Sequence, residues 1–280
     1  MTRHVSSPLV ALTSVPSPPL ALAPDILSGG LNYNHKVAVS GFKAGDVALK
    51  ADLASKGTDF NGTATANFSP ASDVAAEVTV SDAGVVKAQA AITGLLDGLK
   101  TTVSAEPMNA AKTLKIANQL LSGDYGVKAD VTNIASSPKA DASVCVNLGD
   151  AQIGAEAAIT DKGVGAYSIA AQLKLDDLTL SAILADKLDT VKAGALYKLD
   201  ADVTAAAEAI HKVSAGSTSV SAGVAAKLAS GHSARIVISS AAVLQGSYSG
   251  EIVKGVQGTA CLQVDSKQAY KYGVQIAYKN

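Results

Sequence analysis

Tyr270-Lys-Tyr-Gly-Val-Gln-Ile-Ala-Tyr-Lys279 is the stretch that decides how this chain folds. Its even positions, Tyr270, Tyr272, Val274, Ile276 and Tyr278, are apolar, while Lys271, Gly273, Gln275, Ala277 and Lys279 are polar or small. Successive side chains of a strand point to opposite sides, so strict alternation gives a β-strand with one apolar and one wet face. About ten residues is also what a tilted strand needs to cross a bilayer, and tyrosines toward both ends suit an interfacial girdle. Amphipathic strands of soluble sheets look alike, so the argument rests on recurrence.

The pattern recurs from Lys36 onward. Val47, Leu49, Ala51 and Leu53 oppose Ala48, Lys50 and Asp52; Val74, Ala76, Val78 and Val80 oppose Ala75, Glu77 and Thr79. Later segments repeat it, with Lys174, Lys192, Lys198 and Lys227 on the polar side and Tyr167, Val191, Tyr197 and Val224 on the other. Short turn signals such as Asp97-Gly98, Gly149-Asp150 and Asp161-Lys-Gly163 separate the segments and leave no room for helical crossovers. Divided this way, the chain holds roughly 17 to 20 strands of about 9 to 11 residues, the spanning length of a membrane barrel. Ala111 to Leu121 fits an amphipathic helix as well as a strand, and the spacing around it favours a strand.

Composition points the same way. Trp is absent, Phe occurs 3 times and Met twice, and much of the 48% hydrophobic content is Ala and Val. Such residues suit a wall one residue thick better than a filled core. No run of about 18 apolar residues exists, so a spanning structure must be a closed barrel, which alone leaves no backbone unpaired in lipid. A sandwich would need too many equal strands, and a solenoid should show a repeated motif that is missing. Lys plus Arg total 23 against 24 Asp plus Glu, so the basic excess of a nucleic-acid binder is lacking. Cys145 and Cys261 match no metal-ligand spacing and read as free thiols of a reducing compartment. Residues 1–30 are rich in proline and lack alternation, which predicts a partly ordered N-terminal arm ahead of a barrel domain spanning 31–280.

Enzyme readings fail on spacing. Gly94-Leu-Leu-Asp-Gly-Leu-Lys100 lacks the lysine that directly follows glycine in a phosphate loop. Gly246-Ser-Tyr-Ser-Gly250 puts Tyr where a nucleophile elbow needs Ser, and the histidines are dispersed. No enzyme, cofactor or metal is expected.

Several stretches also carry a resemblance. Asp25-Ile-Leu-Ser-Gly-Gly-Leu-Asn-Tyr-Asn-His-Lys36, Gly98-Leu-Lys-Thr-Thr102, Ile183 to Ala193, and Leu244-Gln-Gly-Ser-Tyr248 through Asn280 occur in order. Together they resemble the eukaryotic porins of the mitochondrial outer membrane, the voltage-dependent anion channels. The resemblance implies an all-β, transmembrane antiparallel β-barrel of about 19 strands, a count characteristic of that family. It implies an outer-membrane channel passing small ions, metabolites and nucleotides, with a plastid outer envelope as the other location. By resemblance, Gly98, Leu99 and Lys100, with Leu244 and Gly246, are the positions that nucleotides would graze. Lys271, Gly273, Ile276 and Tyr278 fit the family's C-terminal sorting signal.

The alternation itself gives the candidate pore lining: Lys50, Lys100, Lys174, Lys192, Lys198, Lys227, Arg235, Lys271 and, pointing inward with Thr79, Glu77. Carboxylates at Asp52, Glu77, Asp130 and Asp176 would nearly cancel that charge and weaken anion preference. The family's N-terminal amphipathic helix has no clear counterpart, which puts voltage gating in doubt. Membrane lipid and permeating anions, nucleotides and metabolites are the expected partners, with homo-oligomers and membrane-protein partners left open and nucleic acid excluded. A non-conducting accessory barrel and a protein-translocation channel of the same superfamily stand as alternatives.

Overall fold

The structure, a computed structural model, describes residues 26–27, 34–56, 59–134 and 137–279. Its elements are nineteen strands joined mostly by tight turns. They are β1 (His35–Ala44), β2 (Val47–Lys56), β3 (Asp59–Ala71), β4 (Val74–Ser81), β5 (Val86–Thr93), β6 (Leu99–Ala105) and β7 (Lys115–Leu121). Then follow β8 (Tyr125–Thr132), β9 (Lys139–Leu148), β10 (Ala151–Thr160), β11 (Gly163–Leu175), β12 (Leu178–Ala185) and β13 (Thr190–Lys198). The last are β14 (Val203–Lys212), β15 (Ser217–Lys227), β16 (Ser233–Ser239), β17 (Leu244–Val253), β18 (Val256–Val264) and β19 (Tyr270–Lys279).

Each strand pairs antiparallel with its sequence neighbours, and β1 also pairs with β19, so the sheet closes on itself. With an odd number of alternating strands, the first and last run the same way. The closing seam is therefore parallel, with Lys36 opposite Gln275, Ala38 opposite Ala277 and Ser40 opposite Lys279. Closure leaves no edge, which is the condition for a sheet to sit in hydrocarbon. Among the described residues, no helix is long and apolar enough to cross a membrane; any crossing is made by strands.

One expectation needs revision. The connection between β6 and β7 is helical over Ala110–Thr113, so only the second half of the Ala111–Leu121 stretch is strand. The Thr113 hydroxyl accepts from the Glu106 amide at 2.9 Å and donates to the Asn109 carbonyl at 2.9 Å. These bonds hold the connection until Lys115 meets Ser104 across the ladder. The Pro-rich arm lies outside the described residues except for Ile26 and Leu27, which have helical backbone.

Candidate functional site

Residues directly opposite in a ladder share a face. Starting at Lys36, the polar face runs through Asp52, Thr63, Thr65, Thr79, Glu77, Gln89 and Ser104. It continues through Lys100, Gln119, Lys128, Ser143, Glu156 and Ser168. Gln172, Ser181, Gly194, Glu208 and Ser221 follow, then Arg235, Ser247, Cys261, Gly273 and Gln275, which pairs with Lys36 again. The circuit is one continuous polar wall.

Burial decides which way it faces. On a closed curved sheet, side chains converge inside and splay outside. The strand residues with buried side chains, Ser168, Thr190, Cys145, Cys261, Asp130, Ala170, Ile183, Leu196, Ala206 and Val237, lie on the polar face. The exposed Val37, Leu53, Val80, Ile153, Ile169, Leu180, Ile236 and Ile276 lie on the other. The polar face is the lumen and the apolar face meets lipid.

The outer face is finished for a bilayer. Phe60, Tyr167, Tyr270 and Tyr272 stand near the mouth where β1 begins; Phe42, Phe68, Tyr125, Tyr197, Tyr248 and Tyr278 stand near the opposite one. Along β19, Tyr270 and Tyr278 are about 27 Å apart at the rise of an antiparallel strand. At a tilt of about 40° this spans roughly 20 Å of membrane normal, near the height of an apolar band. Two outward polar pairs bond across the ladder: Thr101 donates to Asn118 Oδ1 at 2.9 Å, and His211 Nδ1 contacts Thr218 Oγ1 at 2.9 Å. Unpaired polar groups there would be costly.

All nine residues expected to line the pore share the inward register: Lys50, Glu77, Lys100, Lys174, Lys192, Lys198, Lys227, Arg235 and Lys271. The nucleotide-grazing set does not hold together. Lys100 faces inward, but Leu99 pairs with Leu120, Leu244 with Val264, and Gly246 with Leu262, all on the outer face. Gly98 has φ +74°, and a Cβ there would collide with the Leu121 carbonyl, so the turn itself requires glycine. Of the sorting-signal positions, Lys271 and Gly273 face inward while Ile276 and Tyr278 face lipid.

The wall also holds cations that inspection of single stretches missed, including Lys36, Lys87, Lys115, Lys128, Lys139 and Lys212. Parity counted from neighbouring apolar residues would have found them. Carboxylates are fewer and partly engaged. Asp52 pairs with Lys50 at 2.8 Å and Lys36 at 3.4 Å; Asp130, buried, pairs with Lys115 at 2.7 Å and Lys128 at 3.3 Å. Asp141 pairs with Lys139 at 3.0 Å. Asp176, expected among the cancelling carboxylates, lies instead in the β11–β12 turn with φ 46°. The predicted near-cancellation is therefore replaced by a wall on which cations predominate.

One apolar island interrupts this wall. Leu27 packs on Ala206 and Val237, and Gly223 leaves the room, since a Cβ there would lie 3.3 Å from Leu27 Cδ2. The segment before β1 thus touches the inner wall at β14–β16. Among the described residues, no group of three or more His, Cys, Asp or Glu is placed to hold a metal ion. Neither Cys145 nor Cys261 is in a disulfide.

Among solved structures, the chain is similar to Wzi, an outer-membrane β-barrel of Escherichia coli described as carbohydrate-binding and involved in capsule assembly. The TM-score is 0.54 at 8% identity, covering 85% of this chain and 79% of that one. A triple mutant of the Rhodopseudomonas blastica porin aligns with TM-score 0.47 at 11% identity, over 85% and 94% of the two chains. No curated protein matches the sequence. A sequence profile described as eukaryotic porin matches residues 83–273, most of the barrel. The chain belongs to the eukaryotic porin family.

Proposed function

We propose that this protein is a diffusion channel of the mitochondrial outer membrane, passing small ions, metabolites and nucleotides with a preference for anions. The observation that carries the reading is the closed nineteen-strand wall, apolar outside and cation-rich inside. Strands about 4.8 Å apart at a tilt of about 40° give a backbone diameter on the order of 40 Å, leaving a wide lumen. Lysines in such a lumen stay hydrated, so they raise the local anion concentration without binding tightly. Family membership and the fold support a barrel channel for small solutes in an outer membrane.

The test is conductance of the refolded protein in a planar bilayer. Large steps, with a reversal potential in a salt gradient displaced toward the anion, support it. A folded, β-rich sample that carries no current would return the chain to the accessory-barrel reading. Lys271, Gly273, Ile276 and Tyr278 are proposed to direct the chain to its membrane. An Ile276→Asp variant that still reaches the outer membrane of isolated mitochondria as efficiently would remove that role.

A further inference from the structure

The two mouths of the barrel differ in charge. At the mouth where β1 ends, every turn from β1–β2 to β13–β14 carries exposed aspartate: Asp46, Asp73, Asp97, Asp124 and Asp150, then pairs at 176–177 and at 200 and 202. Among the described residues, Lys254 is the only lysine or arginine in the turns of that mouth, where His232 is the one histidine. At the opposite mouth, acids alternate with lysines, as in Asp161-Lys162, Asp186-Lys187 and Asp265-Ser-Lys267. Aspartate suits tight turns at either end. Turn chemistry therefore explains its presence at both mouths but not the missing lysines at one.

The second observation is the wall behind the collar. A recess of about 660 Å³ is lined by Asp200 and Asp202 of the collar and, on the adjoining strands, by Lys198, Lys227 and Arg235, together with Ile26. Lys100 and Lys174 stand at the same level on β6 and β11. An acidic ring is thus in series with a basic lumen.

We infer that the pore is electrostatically bipolar and rectifies ion current, with the aspartate collar admitting cations and the lysine wall admitting anions. This rests on the channel reading above. When the collar side is positive, cations enter through the collar and anions through the other mouth, so both accumulate where the zones meet and conductance rises. The opposite voltage drains both and conductance falls. The effect requires a screening length comparable to the lumen radius, which holds at about 10 mM salt, where it is about 30 Å, and fails at 1 M, where it is about 3 Å.

Single channels recorded at equal and opposite voltages test this. At about 10 mM potassium chloride, the two currents are expected to differ roughly twofold or more, and to converge at 1 M as screening removes the field. The combined variant Asp46→Asn, Asp73→Asn, Asp97→Asn, Asp124→Asn and Asp150→Asn keeps the turn hydrogen bonds that asparagine can make. It should retain the 1 M conductance, which shows a folded pore, and, with Asp176, Asp177, Asp200 and Asp202 left in place, lose about half of the asymmetry. Neutralising Asp82, Asp161 and Asp265 at the other mouth should leave the asymmetry in place. Trivalent lanthanum should abolish it only from the side that gives the larger current when positive. Equal currents at low salt from the unaltered protein, or undiminished asymmetry in the collar variant, would overturn the inference while leaving the channel standing. Absence of any conductance would instead strike at the channel itself.

Discussion

Gly98 and Gly223 show how much of the barrel is decided by what is missing from a side chain. Gly98 combines a positive φ with a closely approaching Leu121 carbonyl, whose residue in turn donates its amide to the Gly98 carbonyl at 2.9 Å. Gly98→Ala should cost about 2 kcal/mol or more, since strain and clash add. A lowered urea midpoint for unfolding from detergent, with the strands beyond β7 unaffected once refolded, is the expected result. Gly223 has ordinary backbone but a crowded site, with Ile236 O at 2.8 Å and Val237 Cγ2 at 2.9 Å from an added Cβ. Its absent side chain is the socket for Leu27, which is only 7% exposed. Leu27→Ala removes apolar contact worth about 2 kcal/mol. Hydrogen exchange at Ile26 and Leu27 should quicken by at least tenfold, while exchange in β14 to β16 stays slow. Unchanged exchange at residue 27 would mean that the contact does not hold this segment.

At the scale of elements, the turns tie neighbours together. Asp189, between β12 and β13, accepts from the Ser214 amide and the Ser214 hydroxyl, both at 2.8 Å, and so clamps the β14–β15 turn. These hydrogen bonds, the side-chain one first, hold its carboxyl below the ordinary aspartate value, with Lys212 adding a smaller attraction. A depressed folded pKa means the clamp is fully present above the ordinary aspartate range, about 4, and is lost as pH falls through the lower folded value. The Ser214 amide resonance should therefore stay constant from neutral pH to about 4 and shift below it, and Asp189→Asn should abolish that titration. Strands were legible in the sequence because one face of each had to be apolar, and period-two alternation records that demand. The inward direction of Glu77 and the lysines followed from the same parity. The helical turn at Ala110–Thr113 was not legible, because its determinants are the hydroxyl bonds of Thr113 to Glu106 and Asn109 rather than any periodicity. The nucleotide-grazing positions divide between the two faces for a related reason: motif likeness carries no parity, and parity turns Leu99, Leu244 and Gly246 outward while Lys100 faces the lumen.

For the whole molecule, the decisive feature is the parallel seam. Antiparallel neighbours form from local hairpins, but β1 and β19 are separated by the entire barrel, so the seam closes only when every intervening strand is in register. Such non-local pairing comes at a high loop-closure cost and is expected late in folding. It also fixes the shear of the cylinder, because a slip along β1 would move each wall residue relative to its partner and, at odd steps, turn it to the wrong face. Ala38 and Ala277 are register partners and both point inward, so cysteines there can be bridged without changing the lipid face. The double variant Ala38→Cys, Ala277→Cys should cross-link within one chain under a short thiol-bridging reagent, giving a faster band in an unreduced gel and a barrel that resists urea better. Ala38→Cys with Lys279→Cys, two residues out of register, should cross-link far less. Equal yields from the two would show that the ends slide past one another, and with a sliding seam neither the continuous cationic wall nor a fixed aspartate collar could persist.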